Sequence, residues 1–308
     1  MSAPGTLRVS LCICTFNRER LLRQTLGRVA GAAVPEGISL EIVVVDNNSS
    51  DDTARVVEDA ARSLPIRRVL ETTPGIAAAR NAAVRAAGGD VLLWLDDDVL
   101  IEPDWIERYV SAIRANPGVS LFGGPVRPHF EGTPPSWVME LLSEIGQAYA
   151  LREFPAGREL IDADHLPYGA NFGTRRAIHN QLGFDTALGR IGTDGGCLSE
   201  ESTFFEAALN MGFKGLWLTD NPVRHVITLQ RQSVRYLRGY YRLAGATPGT
   251  VHPGVSTLFG RPRWLWREWV QNEIAYLILR STSGPRRWFP HLKRAATAQG
   301  ALFARRWR

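Results

Sequence analysis

Short runs of β-branched residues and leucine alternate with amphipathic stretches through the first hundred positions. Residues 9–14, VSLCIC, read as a strand. In residues 17–32, NRERLLRQTLGRVAGA, Leu21, Leu22, Leu26 and Val29 share one helical face, with Asn17 placed to cap it. Residues 40–45, LEIVVV, give a second strand, and the small polar residues that follow within 46–63 form a turn and cap a second helix. Residues 66–71 give a third strand, 75–89 a helix stopped by Gly88 and Gly89, and 90–95, DVLLWL, a fourth strand. Strands this apolar are covered on both faces. The alternation therefore predicts a parallel sheet with crossover helices.

The pattern loosens after that. Residues 103–118 read as a helix, 119–126 as a strand, 127–137 as a Pro-rich connection, 168–183 as a strand running into a helix, 199–212 as a short helix and 213–219 as a strand. From Thr228 onward the strand pattern ends, and three helical segments, 232–245, 263–280 and 288–307, are separated by Gly/Pro stretches. The fold class expected is α/β: a mostly parallel sheet flanked by helices in residues 1–227, followed by a helical C-terminal extension in 228–308.

Composition changes this picture mainly through charge. The net charge of +5 conceals 15 Lys and Arg against two acids, Glu268 and Glu273, from Thr228 to Arg308, a local +13. Subtraction from 36 basic and 31 acidic residues leaves 21 and 29 before that point, or −8. Trp264, Trp266, Trp269, Trp288 and Trp307 lie among these basic residues. Such a segment suits an interfacial position on an anionic bilayer, or packing against the acidic remainder, and both remain open. Nucleic acid is not expected as a partner, because the acidic strand ends repel phosphate unless metal is present. Cys12 and Cys14 alternate along one strand and point to the same buried face, and no disulfide or zinc pattern is visible with Cys197, so a reducing, cytoplasmic setting is expected. The N-terminus does not resemble a signal peptide, and no apolar run approaches the roughly 20 residues of a membrane span.

The chemistry gathers at strand ends. Asp96, Asp97 and Asp98 follow the fourth strand, Asp46 ends the second, and Thr15 to Asn17 end the first. Ligands of open α/β sheets bind outside the carboxyl ends of the strands, so these groups are expected on one rim. Two carboxylates about 5 Å apart repel by about 3 kcal/mol at an effective dielectric near 20, which calls for a compensating cation. TFNRER stands where a dinucleotide fold carries its glycine-rich turn. Without that turn, a divalent cation on the aspartates is one way to meet a diphosphate; a solvated loop with Asp97 capping the next helix is the other. Glu200 and Glu201 are neighbours at a helix start and point in different directions, so one can act as a base while the other caps the helix or binds a ligand. Gly169, Ala170 and Asn171 could admit a ligand close to the backbone. Trp94 and Trp217 suit the core, Arg175 and Arg176 a solvated helix face, and His225 either a structural hydrogen bond or a place near a metal.

The blocks VSLCICTFNRERLLRQTL, EIVVVDNNSSDDT, PGIAAARNAA, GGDVLLWLDDDVLIEPDWI, GANFGTRRA, LGFDTALG and SEESTFFEAALNMGF occur in the order and approximate spacing of family 2 glycosyltransferases with the GT-A fold, over residues 7 to 226. The chain resembles that family. The resemblance implies a metal-dependent, inverting transfer of a sugar from a nucleoside diphosphate donor, commonly a UDP-sugar, to a hydroxyl acceptor on a glycan, a lipid or a small molecule. It implies that Asp46 bonds the nucleobase, that Thr15 and Asn17 line the nucleotide pocket, and that Arg80 approaches the nucleotide or diphosphate. Asp96-Asp97-Asp98 matches the DxD element, with Asp98 the metal ligand and Asp96 near ribose and metal. Glu201 matches the base, Glu200 its acidic neighbour, and His225 a histidine near the Mn2+ or Mg2+. The family often has an arginine where this chain has Ala207. Two other readings stay open: a nucleotidyltransferase, which would carry a GxGTR-like loop after the first strand, and a noncatalytic sugar-nucleotide or membrane-binding protein.

Overall fold

The computed structural model describes residues 6–157, 159–191, 195–197, 200–246 and 256–304. The chain divides into two units, one of Met1–His129, Ala150–Thr193 and Ser199–Val226, the other of Phe130–Tyr149, Asp194–Leu198 and Ile227–Arg308.

In the first unit β1 (Leu7–Thr15), α1 (Glu19–Ala30), β2 (Ile38–Asp46), α2 (Thr53–Ala60), β3 (Ile66–Leu70), α3 (Ile76–Ala86) and β4 (Val91–Asp96) alternate as the periodicity predicts. β5 (Val99–Leu100), α4 (Trp105–Ala115), β6 (Leu121–Gly123) and β7 (Val126–Phe130) follow. Eight strands make one sheet in the order β3, β2, β1, β4, Asn171–Arg175, β6, Gly215–Trp217 and Leu160–Ile161. The β3-β2-β1-β4 block is parallel, and Asn171–Arg175 runs antiparallel to both β4 and β6. The architecture is thus α/β with a large central sheet flanked by helices.

From Leu11 in β1, Ile42 in β2 and Val91 in β4 both faces of the sheet are largely enclosed, and there the polar alternation of the strand starts gives way to apolar runs. Val9, Leu11, Ile13, Ile42, Val44, Val91, Leu93 and Leu95 face one apolar cluster with residues of α1, α2 and α4. Their neighbours Cys12, Val43, Val45, Leu92 and Trp94 face a second cluster with the alanines of α3, Phe204 and Phe205. Trp94 stacks on Phe172 and Trp217 on Phe154, so both tryptophans are core residues, as expected. Burial pushes the Cys14 thiol up to about 12 and raises that of Cys12 as well, so neither is a reactive thiolate.

Four sequence expectations are corrected. Asn17 does not cap α1, whose N-cap is Arg18; Asn17 sits at φ 52° and its side-chain oxygen accepts from the Ser50 N–H at 2.7 Å, tying two strand-end loops together. Residues 119–126 are not one strand: Gly124-Pro125 interrupts them, and β7, drawn from the expected Pro-rich connection, enters a separate sheet of order β5, Val223–Ile227, β7. The helix expected to run to 183 lasts only Arg176–His179. Arg175 and Arg176 are not a solvated face, since their guanidinium groups donate to the carbonyls of Val119 and Ile113, and of Gly89 and Ala87, respectively. Those carbonyls close loops and the C-terminal end of α3, where a cation offsets the helix dipole.

The second unit carries helices Val234–Gly245, Arg263–Thr282 and Pro285–Phe303, matching the three expected segments, together with the short helices Ser136–Glu140 and Leu142–Ile145. Arg238 holds Glu273 through two hydrogen bonds of 2.7 and 2.9 Å. Gly300 lies so close to the Arg242 carbonyl that a Cβ there would collide with it, which lets the first and third helices meet backbone to backbone. Trp307 lies outside the described residues.

Candidate active site

Parallel register sets the site. Thr15 pairs with Asp46 across β1 and β2, and Cys14 with Asp96 across β1 and β4, so the carboxyl ends of three strands finish level. The small sheet adds a fourth element: His225 is in register with Val99, and the Val226 N–H donates to the Asp98 carbonyl at 2.8 Å. Thr15, Asp46, Asp96, Asp97, Asp98 and His225 are therefore gathered at one rim, as the topology argument requires.

The compensation for the three aspartates comes from the protein itself. Arg18, just past β1, lies 2.8 Å from Asp97 Oδ1 and 2.8 Å from Asp98 Oδ2. Thr15 donates its hydroxyl to the other Asp97 oxygen at 2.7 Å, and His225 Nε2 lies 3.0 Å from Asp98 Oδ1. Asp97 and Asp98 are almost wholly buried, whereas the Asp96 side chain is 34% exposed. Burial pushes the Asp97 carboxyl up to about 6 against the opposing pull of Arg18, and burial likewise raises that of Asp96. Arg18 is the functional-site residue that sequence reasoning missed; its position directly after the strand-end TFN was the available signal.

A second arginine organises the other side. Arg80 on α3 is buried, stands 5.5 Å over the Phe184 ring, and reaches Glu200 Oε1 at 2.8 Å, Glu201 Oε2 at 3.7 Å and Asp96 Oδ1 at 3.8 Å. One guanidinium thus joins the strand-end acids to the acidic pair at the start of helix Glu200–Asn210. Burial pushes Glu200 up to about 8 even with Arg80 beside it. Glu201 is the more open of the pair, 21% exposed at the side chain against 7% for Glu200.

Several expected contacts change in consequence. Arg80 is buried, with Glu200, Glu201 and Asp96 all within 3.8 Å of its guanidinium. Glu200 is paired with Arg80 at 2.8 Å. Gly169 does permit a close approach, but the approaching group is the Arg80 guanidinium, with which a Cβ would collide. Ala170 belongs to the apolar core. Asn171 is fully buried; its oxygen accepts from Trp105 Nε1 and Tyr109 Oη, and its amide donates to the Pro125 and Asn221 carbonyls, all within 3.1 Å. All four hydrogen-bonding sites of that amide are used, so Asn171 is a structural clamp. Asp46, also buried, accepts from the Ser49 N–H at 2.9 Å and pairs with Arg68 at 3.2 Å. Asn17 remains exposed at the same rim.

Among the described residues no group of three or more His, Cys, Asp or Glu side chains is arranged to hold a metal ion unaided. The donors present, Asp98 with His225 beside it and the open Asp96, make an incomplete set. Asp96 offers an open carboxylate of the kind a hard dication takes together with phosphate oxygens and water, whereas Asp98 joins it only by exchanging its contacts with Arg18 and His225. The set does not fit a closed structural site.

The fold is that of the GT-A glycosyltransferases. The mannosyltransferase PcManGT from Pyrobaculum calidifontis, solved with GDP-Man and Mn2+, superposes with a TM-score of 0.60 at 18% identity, over 98% of this chain and 89% of that one. TarS 1–349 of S. aureus with UDP-GlcNAc gives 0.51 at 18% identity, over 78% and 66%. Residues 10–183 match the family profile described as glycosyl transferase family 2, and the chain belongs to that family. The succinoglycan biosynthesis protein ExoM of Rhizobium meliloti is 33% identical over 250 residues, 80% of this chain and 75% of its own. The glucosyl-dolichyl phosphate glucuronosyltransferase of Haloferax volcanii is 27% identical over 190 residues, 60% of this chain and 58% of its own length.

Proposed function

We propose that the protein transfers a sugar from a nucleoside diphosphate donor, a UDP-sugar, to a hydroxyl of a growing glycan or lipid-linked acceptor, with inversion at the anomeric carbon. The observation that carries this reading is the convergence of Asp96, Glu200 and Glu201 on the single guanidinium of Arg80, which brings a candidate base to the strand-end acids. Glu201, the more open carboxylate, takes the acceptor proton as the hydroxyl oxygen bonds to the anomeric carbon, and the bond to the diphosphate breaks with its electron pair leaving on phosphate oxygen. Arg80 acts as a positioning residue, holding Glu200 so that Glu201 is the one left to react. Asp46, Thr15 and Asn17 mark the nucleoside end of the rim, and Asp96 the diphosphate end. Asp98, Asp96 and His225 would hold a Mn2+ or Mg2+ ion, whose chemistry is to neutralise the charge that develops on the departing diphosphate.

In the same reading the basic C-terminal segment keeps the enzyme on the anionic, cytoplasmic face of a membrane, where polysaccharide and glycolipid acceptors are assembled. Its +13 charge supports this.

The test is Glu201→Gln. Stabilisation of the protein against heat by UDP-sugar with manganese should persist, while transfer falls by about 10²–10⁴-fold. Normal turnover in this variant would remove Glu201 as the base. Failure of every UDP-, GDP- and dTDP-sugar to stabilise the wild type would remove the donor assignment.

A further inference from the structure

Helix Arg263–Thr282 is apolar on two sides. Leu265 and Tyr276 are buried among its own unit's helices. On the opposite side Val270, Ile274, Leu277 and Ile278 are 47%, 54%, 60% and 58% exposed. Steps of four, three and one residue place these four within a stripe about 100° wide. Arg263 and Arg267, both exposed, continue the same stripe toward the helix N-terminus, and neither forms an ion pair with a described residue. A single exposed leucine is ordinary, but four contiguous aliphatic side chains form a patch that marks an interaction surface.

The charge around the patch selects its occupant. Residues 228–308 carry +13, so two copies meeting through this face would repel, whereas an anionic lipid surface supplies both an apolar layer and the opposite charge. We infer that this face of helix Arg263–Thr282 lies in the plane of an anionic bilayer. Val270, Ile274, Leu277 and Ile278 enter the boundary between headgroups and acyl chains, and Arg263 and Arg267 extend to the phosphates. The inference rests on the membrane reading above and names the surface that carries it.

The experiment is co-sedimentation of the full chain with vesicles of phosphatidylcholine alone and of phosphatidylcholine mixed equally with phosphatidylglycerol. The wild type should partition to the mixed vesicles at least about tenfold better. Ile274→Gln with Leu277→Gln should cut that partition about tenfold, and Arg263→Gln with Arg267→Gln by about tenfold or more, the latter with a weaker salt dependence. Because all four positions are exposed, the melting temperature should stay within a degree or two in both variants, which separates lost binding from lost folding. Wild type that binds neither vesicle overturns the membrane reading and the inference together. Wild type that binds the mixed vesicles while the Ile274/Leu277 variant binds equally well overturns the inference alone. A lipid-free dimer that the same substitutions dissolve would show that a second copy covers the face, and would also overturn it.

Discussion

The strand-end rim and helix Arg263–Thr282 handle charge in opposite ways. At the rim, Asp97, Asp98, Asp96 and the Glu200–Glu201 pair all meet arginines of the same unit, Arg18 and Arg80, across distances of 2.8 to 3.8 Å. On the helix, aliphatic and cationic side chains point outward together. The difference teaches that clustered charge has two physical fates. It can be neutralised inside the protein, where it stores organisation for a reaction, or left outside, where it selects a surface.

Experiments can break or sharpen that contrast. The largest effect is expected from Asp98→Ala, which removes the carboxylate shared by Arg18 and His225; metal-supported transfer should fall by about a thousandfold, and undiminished sugar transfer would show that the rim's neutralised acids are only structural. Next, Arg80→Met strands a buried Glu200, at a cost of about 3–5 kcal/mol by denaturant titration at alkaline pH, where the wild-type carboxyl is ionised. That cost should shrink at lower pH, where Glu200, already pushed up to about 8 by burial, takes a proton and no longer needs a partner. An unchanged denaturation midpoint would mean that Arg80 is not the group balancing the site.

His179 gives a third measure of how thoroughly the first unit excludes charge. Burial pushes its imidazole down from 6.5 to about 4, and its Nε2 meets the Thr174 hydroxyl at 2.8 Å. The unfolded chain therefore binds the proton first as pH falls, so this contribution to stability is complete above pH 6.5 and is lost, to about 3 kcal/mol, on the way down to pH 4. His179→Gln should flatten that part of the stability curve. The smallest effect belongs to the inner side of the helical unit: Gly300→Ala must push the helix bearing Arg242 away, costing about 1–3 kcal/mol and lowering the melting temperature without altering vesicle binding.

The sheet and its helices were legible because β4 and the second halves of β1 and β2 are continuous apolar runs, and the periods of α1 and α4 mark the faces they bury. The rim was legible for the same reason, since strand ends follow from strands. What stayed hidden depends on partners far away in sequence. Arg18 meets Asp97 and Asp98 across about eighty positions, and Asn171 is claimed by Trp105 and Tyr109 only once an antiparallel strand is inserted beside β4. Gly169 does mark a close approach, and the group that the fold brings there is the Arg80 guanidinium.

The two thiols of β1 offer a practical handle. With Cys12 fully enclosed and the half-buried Cys14 thiol pushed up to about 12, both react with maleimide only slowly in the closed sheet. In a Cys197→Ser background, the rate at which label accumulates would count openings of the central strands, turning β1 into a clock for how often the scaffold behind the rim comes apart.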